Sequence, residues 1–194
     1  MDKMKKVIIV HRWDGTPESD WYPWLKRELE SKGFEVIVPE MPETSEPSIE
    51  NWVDHLRIVV GSVDEETYFV GHSIGCQTIM RYLSSLSDVK IGGIVFVAGW
   101  FNLDNLEGEE VVAIAKPWIE TPIDFAKVRN KTNKITVFLS DNEPYGFVDE
   151  NASIFEDKLD AKVIIESEKG HFIEDDGITE VPEVLEELLR FSKT

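Results

Sequence analysis

Residues 67–77, TYFVGHSIGCQ, constrain the fold of this chain more than any other stretch. An apolar run leads into Gly71, and apolar residues at helical spacing follow Gly75. The pattern predicts a buried strand, a turn that needs glycine at two places, and the first turn of a helix.

The turn itself has the form Gly71-x-Ser73-x-Gly75. This form is typical of a nucleophile elbow, in which a sharply bent backbone presents a serine hydroxyl at the end of a strand. The alternative is a structural glycine turn in which Ser73 is only a small residue. If the turn is an elbow, the rest of the chain must supply a histidine and an acid.

The remaining sequence repeats the alternation of strand and helix. Short apolar runs, each typical of a strand, lie near residues 7–10, 34–38, 91–98, 135–139 and 163–165. The segments between them are amphipathic or begin with a capping residue, as helices do. Ser19 or Asp20 is the expected cap of the first helix. We therefore predict an α/β fold: a three-layer α/β/α sandwich with about six mostly parallel strands. We expect one domain over residues 1–194, in which the irregular stretch 99–134 forms a small cap, with a short helix that begins with a capping box at Thr121.

Composition excludes several classes of partner. The formal net charge of -18, from 38 acids against 20 bases, would repel nucleic acid and anionic membranes. No apolar run is long enough for a secretory signal or a membrane span. The single cysteine, Cys76, rules out an internal disulfide and favours a reducing compartment, so we expect a cytoplasmic protein.

Candidate catalytic side chains follow three predicted strands. His171 is the only histidine downstream of Ser73, and it comes a few residues after the last strand. Asp141 and Glu143 both follow the strand that ends at Leu139, and either is a candidate acid. Since parallel sheets place their sites beyond the carboxyl ends of the strands, these residues are predicted to meet at one edge.

Each group would have a separate task. An imidazole accepts the proton of the serine hydroxyl, and a carboxylate orients the imidazole. The backbone N–H of Ile74 is placed to face an oxyanion, with a second donor from the loop after the first strand, the N–H of Trp13 or Arg12. His11 is interpreted as shaping that loop and His72 as packing beside the elbow.

Other reactive or aromatic residues receive structural interpretations. Cys76 begins the buried stripe of the helix after the elbow, so it is interpreted as a core residue. Trp13 and Trp100 follow strands and are candidates to line an apolar pocket for an acyl or aryl group. The acidic run at residues 174–176 is interpreted as a solvated loop.

Several segments together resemble a known family. They are residues 21–29 (WYPWLKREL), Met41-Pro42, residues 71–76 (GHSIGC) and Gly170-His171-Phe172. They resemble the small α/β-hydrolase family typified by retinoblastoma-binding protein nine and its bacterial relatives. The resemblance implies a compact hydrolase core, a small cap, a Ser–His–acid triad and no cofactor, with the nucleophile at Ser73 and the histidine at His171.

Two positions differ from the family pattern. Glu143 stands where relatives usually have aspartate, and Arg12 stands where the loop after the first strand commonly carries glycine. The Leu-x-Cys-x-Glu pattern that the human member uses to engage its protein partner is absent.

The leading hypothesis is therefore a serine hydrolase that cleaves a small ester, thioester or amide through an acyl-enzyme. Its expected ligand is a small-molecule acyl substrate. The alternative is a catalytically silent hydrolase-fold protein that acts as a protein-binding module, although no motif supports a particular protein partner.

Overall fold

The computed structural model describes residues 3–193, which contain a single six-stranded sheet. The strands are β1 (Lys6–Val10), β2 (Glu35–Ile37), β3 (Thr67–His72), β4 (Gly93–Val97), β5 (Ile135–Ser140) and β6 (Lys162–Glu166). Their order is β2-β1-β3-β4-β5-β6, and every neighbouring pair is parallel.

Helices cover both faces of this sheet. They are α1 (Tyr22–Ser31), α2 (Ile49–Val60), α3 (Ile74–Ser85), α4 (Glu109–Glu120), α5 (Phe125–Arg129), α6 (Val148–Leu159) and α7 (Pro182–Phe191). The core on one face is built from α2 to α6, and the core on the other face from α1 and α7. This arrangement confirms the predicted three-layer α/β/α fold. Within residues 3–193 no helix is both long and apolar enough to cross a membrane.

The strand register brings the carboxyl ends of five strands to one edge of the sheet. Val10 pairs with Gly71, His72 pairs with Val97, and Ser140 pairs with Glu166. The loops that follow β1, β3, β4, β5 and β6 therefore leave the sheet at the same edge, which is where parallel α/β sheets build their sites.

The expected cap of α1 is wrong. Trp21, not Ser19 or Asp20, occupies the N-cap position, and no side chain caps the helix. Both expected caps have other partners: the Ser19 hydroxyl accepts the Thr16 N–H, and the Asp20 carboxylate binds Arg12. Asp20 therefore takes part in hydrogen bonds between loops at the edge of the sheet and does not cap a helix.

The stretch 99–134 is more regular than its sequence indicates. The sequence gives no clear signal for helix α4, because Gly108 precedes it and Pro117 lies inside it. Its buried residues, Ala115 and Trp118, hold it on the core. Helix α5 is capped by Asp124, which accepts the N–H of Lys127.

Close packing of α3 on the end of β1 depends on Gly75. A Cβ at Gly75 would lie 2.2 Å from the carbonyl oxygen of Val10 and 2.9 Å from that of His11. A Cβ at Gly71 would lie 2.8 Å from the backbone nitrogen of Cys76. Both neighbours are backbone atoms within the core, so neither can move aside cheaply.

We predict that Gly75→Ala lowers the free energy of unfolding by at least about 2 kcal/mol, because the added methyl forces α3 away from β1. Chemical denaturation would measure this. Ser84→Ala, near the other end of the same helix, is the control, with an expected change within about 0.5 kcal/mol. A Gly75→Ala protein as stable as its parent would contradict the packing described here.

Candidate active site

Ser73 lies in the tight turn between β3 and α3 with its backbone in a left-handed conformation. Its φ is 54° and its ψ is -121°, an unfavourable region for a residue with a Cβ. The turn is fixed because the Ser73 N–H donates to the carbonyl of Val97 at 2.9 Å. The side chain thus stands at the carboxyl edge of the sheet, with only 6% of the residue exposed.

Ser73, His171 and Glu143 form a continuous chain of hydrogen bonds. The Nε2 atom of His171 is 2.8 Å from Ser73 Oγ. Its Nδ1 atom is 2.8 Å from Oε1 and 2.9 Å from Oε2 of Glu143. A carboxylate can only accept, so Nδ1 carries the proton and Nε2 is the acceptor for the serine hydroxyl.

Of the two candidate acids, Glu143 reaches His171 and Asp141 does not. The Asp141 carboxylate accepts the Ser167 hydroxyl at 2.6 Å and the Glu168 N–H at 2.8 Å. The Ser167 hydrogen bond is the main cause that lowers the pKa of this carboxyl. Asp141 therefore fixes the turn after β6, while the longer side chain of Glu143 contacts the imidazole.

The loops after β5 and β6 are joined by further hydrogen bonds. Asn142 Oδ1 accepts the Gly170 N–H at 2.7 Å and the Ser140 hydroxyl at 2.6 Å. Ser140 Oγ in turn accepts the Lys169 N–H at 2.9 Å. These bonds hold the backbone on both sides of the Glu143–His171 contact, a role that the sequence did not reveal.

The acidic run at residues 174–176 is exposed, as expected, but it is more than a solvated loop. Asp176 Oδ2 accepts the backbone N–H of His171 at 2.7 Å. Gly170 has a φ of 55°, and a Cβ there would lie 2.4 Å from the Asp176 carboxylate. The pair Gly170-His171 could have indicated this tight turn, but not which acid closes it.

Among the described residues, two of the three candidate oxyanion donors have no acceptor. Within residues 3–193, the N–H groups of Ile74 and Trp13 make no hydrogen bond. The N–H of Arg12, the other candidate, donates to the Tyr22 hydroxyl at 3.1 Å. Of the candidate oxyanion donors, Ile74 and Trp13 are thus the ones that remain available to a ligand.

The side chain of Arg12 joins the loop after β1 to the loop that carries His171. Its Nε donates to Asp20 at 2.7 Å, and Asp20 Oδ1 accepts the Glu174 N–H at 3.0 Å. Burial alone would raise the pKa of Asp20, but these two hydrogen bonds, together with the charges of neighbouring side chains, lower the pKa. Arg12 is accommodated in the loop after β1 because its guanidinium is directed to Asp20.

His72 and Tyr22 form a buried link behind the site. The Tyr22 hydroxyl lies 2.6 Å from His72 Nδ1, and His72 Nε2 lies 2.8 Å from the carbonyl oxygen of His171. A carbonyl only accepts, so Nε2 carries the proton and Nδ1 accepts from Tyr22. Burial, followed by the charge of His171, lowers the pKa of His72 to about 3.

His11 shapes the loop after β1. Its Nδ1 lies 2.8 Å from the Arg12 carbonyl oxygen, to which it donates, and its Nε2 accepts the Met41 N–H at 3.1 Å. Burial is the main cause that lowers the pKa of this imidazole. A neutral His11 therefore joins the loop after β1 to the segment after β2.

The space beside the hydrogen-bond chain is small. A cavity of about 10 Å³ lies here, room for about one water molecule. Its lining residues are Ala98, Gly99, Trp100, Leu103, Leu139, Glu143, Gly146, Val148, Asn151 and His171. Trp100 also touches the serine: its indole N–H donates to Ser73 Oγ at 3.2 Å. Its position after β4 indicated a pocket residue, but not this contact.

The profile of the serine hydrolase family matches residues 7–190. The chain belongs to the serine hydrolase family. The serine hydrolase RBBP9 of Rattus norvegicus is 27% identical over 172 residues, 87% of each chain. YdeN of Bacillus subtilis (strain 168) is 29% identical over 191 residues, 96% of each chain.

Solved structures of other proteins share the fold of this serine hydrolase. The ydeN gene product of B. subtilis superposes with a TM-score of 0.89 at 26% identity, covering 98% of this chain and 100% of that one. Est1E from Butyrivibrio proteoclasticus superposes with a TM-score of 0.73 at 15% identity, covering 99% and 91%. These superpositions confirm the predicted α/β-hydrolase fold.

Because His72 is buried, we predict that the folded state of this serine hydrolase loses stability in acid. Its pKa in the folded state, about 3, is below the ordinary value of 6.5, so the unfolded chain binds the proton more readily. Stability is therefore fully present above about pH 6.5 and declines as the pH falls toward 3, by up to about 1.4 kcal/mol per pH unit from this residue.

His72→Gln removes the titrating imidazole, so the free energy of unfolding should depend less steeply on pH between about pH 6 and pH 4. Denaturant unfolding at several pH values measures the slope. His55→Gln, on α2 and outside the site, is the control for the loss of a histidine. An unchanged slope in His72→Gln would mean that His72 is not the group that titrates.

Proposed function

We propose that this serine hydrolase cleaves a small ester, thioester or amide through an acyl-enzyme, with Ser73 as nucleophile, His171 as proton carrier and Glu143 as the acid that orients it. The observation that carries the proposal is the chain Ser73 Oγ to His171 Nε2 at 2.8 Å and His171 Nδ1 to Glu143 at 2.8 Å. Its order and chemistry are those of a Ser–His–acid triad.

In the acylation step, Ser73 Oγ attacks the carbonyl carbon of the substrate as its proton passes to His171 Nε2. The carbonyl oxygen gains negative charge and lies against the N–H groups of Ile74 and Trp13, at the positive end of α3. The bond to the leaving group then breaks, and the leaving group takes the proton from His171.

Deacylation repeats these movements with water as the nucleophile. His171 Nε2 accepts a proton from water while the water oxygen bonds to the acyl carbon. The bond between the acyl carbon and Ser73 Oγ then breaks, and Oγ takes the proton back. Glu143 holds the Nδ1–H in place and stabilises the imidazolium in both steps.

In the structure the site is closed to an acyl group. The cavity beside Glu143 and His171 has a volume of about 10 Å³, room for about one water molecule. Residues 99–134 would act as a cap, and part of it must move to admit an acyl group. The proposal needs no cofactor, and the single cysteine supports a cytoplasmic setting.

A second candidate is a catalytically silent member that binds a protein. The observation in its favour is the closure of the site, because Ser73 is 6% exposed and Trp100 is 4% exposed. This candidate predicts that no ester is turned over and that Ser73→Ala leaves binding of a partner intact.

Labelling by a fluorophosphonate probe distinguishes the two candidates. We expect covalent labelling at Ser73, identified by peptide mass spectrometry, together with turnover of short p-nitrophenyl esters. Ser73→Ala should lose both, since the hydroxyl is the attacking group. Folded protein that neither takes up the probe nor hydrolyses the esters would refute the enzymatic proposal.

The acid is tested by a matched pair of amide variants. Glu143→Gln should lower kcat by about 10²- to 10⁴-fold with little change in stability, because the amide no longer holds the imidazole in the required tautomer. Asp141→Asn, two residues away, should change kcat by less than about threefold. Equal effects of the two substitutions on ester hydrolysis would remove Glu143 from the mechanism.

A further inference from the structure

Trp100 supplies a hydrogen bond to the oxygen that is proposed to attack the substrate. Its indole N–H donates to Ser73 Oγ at 3.2 Å. The two residues are 27 positions apart, and both are almost fully buried, Trp100 at 4% and Ser73 at 6% exposure. Solvent therefore does not compete strongly for the indole N–H.

The backbone that carries the indole is held by α3 itself. The Trp100 carbonyl accepts the Gln77 side-chain N–H at 3.0 Å. Gln77 Oε1 accepts from Arg81 at 3.0 Å, and Arg81 also donates to the carbonyls of Trp118 at 3.0 Å and Thr121 at 2.8 Å. The same helix that begins at the nucleophile thus positions the indole and connects it to the end of α4.

The turn before Trp100 is equally constrained. Ala98 has a φ of 48°, in the left-handed region. A Cβ at Gly99 would lie 2.7 Å from the ring of Phe155 and 3.2 Å from Cys76 Sγ. Close packing against α3 and α6 therefore turns the chain sharply after β4, which is what brings the indole onto the serine.

The contact leaves the proposed chemistry free to proceed. A hydroxyl oxygen carries one proton and two lone pairs. In Ser73 the proton is directed to His171 and one lone pair accepts from Trp100, so the second lone pair can bond to an acyl carbon. The indole N–H can then stay on Oγ throughout the reaction.

We propose that Trp100 is a catalytic residue whose indole N–H stabilises Ser73 Oγ as it leaves the acyl group during deacylation. The inference rests on the proposed function. In the acyl-enzyme, Oγ is an ester oxygen and a weak acceptor. As the bond from Oγ to the acyl carbon breaks, its electron pair stays on Oγ, which gains negative charge until it takes the proton of His171. A donor on Oγ therefore stabilises the transition state more than the acyl-enzyme.

Trp100→Phe is the direct test, because it removes the N–H and keeps a flat aromatic side chain. With p-nitrophenyl acetate under pre-steady-state conditions, we expect deacylation to slow by about tenfold, the range of one hydrogen bond to a developing charge. Acylation should change less, so acyl-enzyme accumulates, the burst of p-nitrophenol grows, and kcat and KM fall together. A merely structural role would slow both steps and leave no such split.

Trp52→Phe is the matched control. Trp52 is also fully buried, and its indole N–H donates to the Pro42 carbonyl at 2.8 Å, so the substitution costs a similar buried hydrogen bond. Its deacylation rate should equal that of the parent protein. If Trp100→Phe does not fold, replacing Trp100 with 3-benzothienylalanine, which has sulfur in place of the N–H, keeps the shape and makes the same test.

The outcomes separate this inference from the proposed function. If the parent protein is labelled and turns over the ester, and Trp100→Phe shows unchanged deacylation, the inference is wrong and the proposed function stands. If the folded parent protein is not labelled at Ser73, the proposed function and the inference both fail. A larger burst and slower deacylation confined to the position-100 variants support the role of the indole.

Discussion

The close contact between the start of α3 and the end of β1 is the constraint on which the rest of the structure depends. Gly75 has no room for a Cβ beneath the carbonyl of Val10, and Gly71 has none beside Cys76. A strand and a helix packed this tightly must be joined by a turn with positive φ, and Ser73 occupies it at 54°. The strain at that residue is offset by packing in the core. One packing requirement therefore fixes the direction of the hydroxyl and leaves the N–H of Ile74, at the start of the helix, without an acceptor among the described residues.

The other parts of the site are assembled by polar contacts between loops at the same edge. Asn142 and Ser140 join the loop after β5 to the loop after β6, and Asp20 joins the latter to Arg12 in the loop after β1. His72 supports the carbonyl of His171 from behind. The imidazole thus contacts Ser73 and Glu143 from a backbone that is itself hydrogen-bonded on several sides. Such preorganisation is what catalysis by a charge-stabilising site requires.

Sequence reasoning reached the fold, Ser73 and His171 because each of them can be inferred from where the strands lie along the chain. Alternating strands and helices imply a parallel sheet, and Ser73 and His171 each follow a strand, so one edge collects them. The choice between Asp141 and Glu143 could not be made this way, since both follow β5 and only the turn geometry decides which carboxylate faces His171. The hydrogen bond from Trp100 depends on the left-handed turn at Ala98, for which the sequence carries no pattern. Helix α4 is not evident from the sequence, because a proline such as Pro117 usually ends a helix.

We infer that the His171 imidazole is held between Glu143 and Ser73 in the protein in solution. Proton NMR of the free protein tests it most directly, through the Nδ1–H that the contact with Glu143 shields from exchange with water. We expect a strongly downfield histidine N–H resonance that is lost in Glu143→Gln and kept in Asp141→Asn. If the resonance is absent from the parent protein, or survives in Glu143→Gln, then Glu143 does not hold the His171 imidazole in solution.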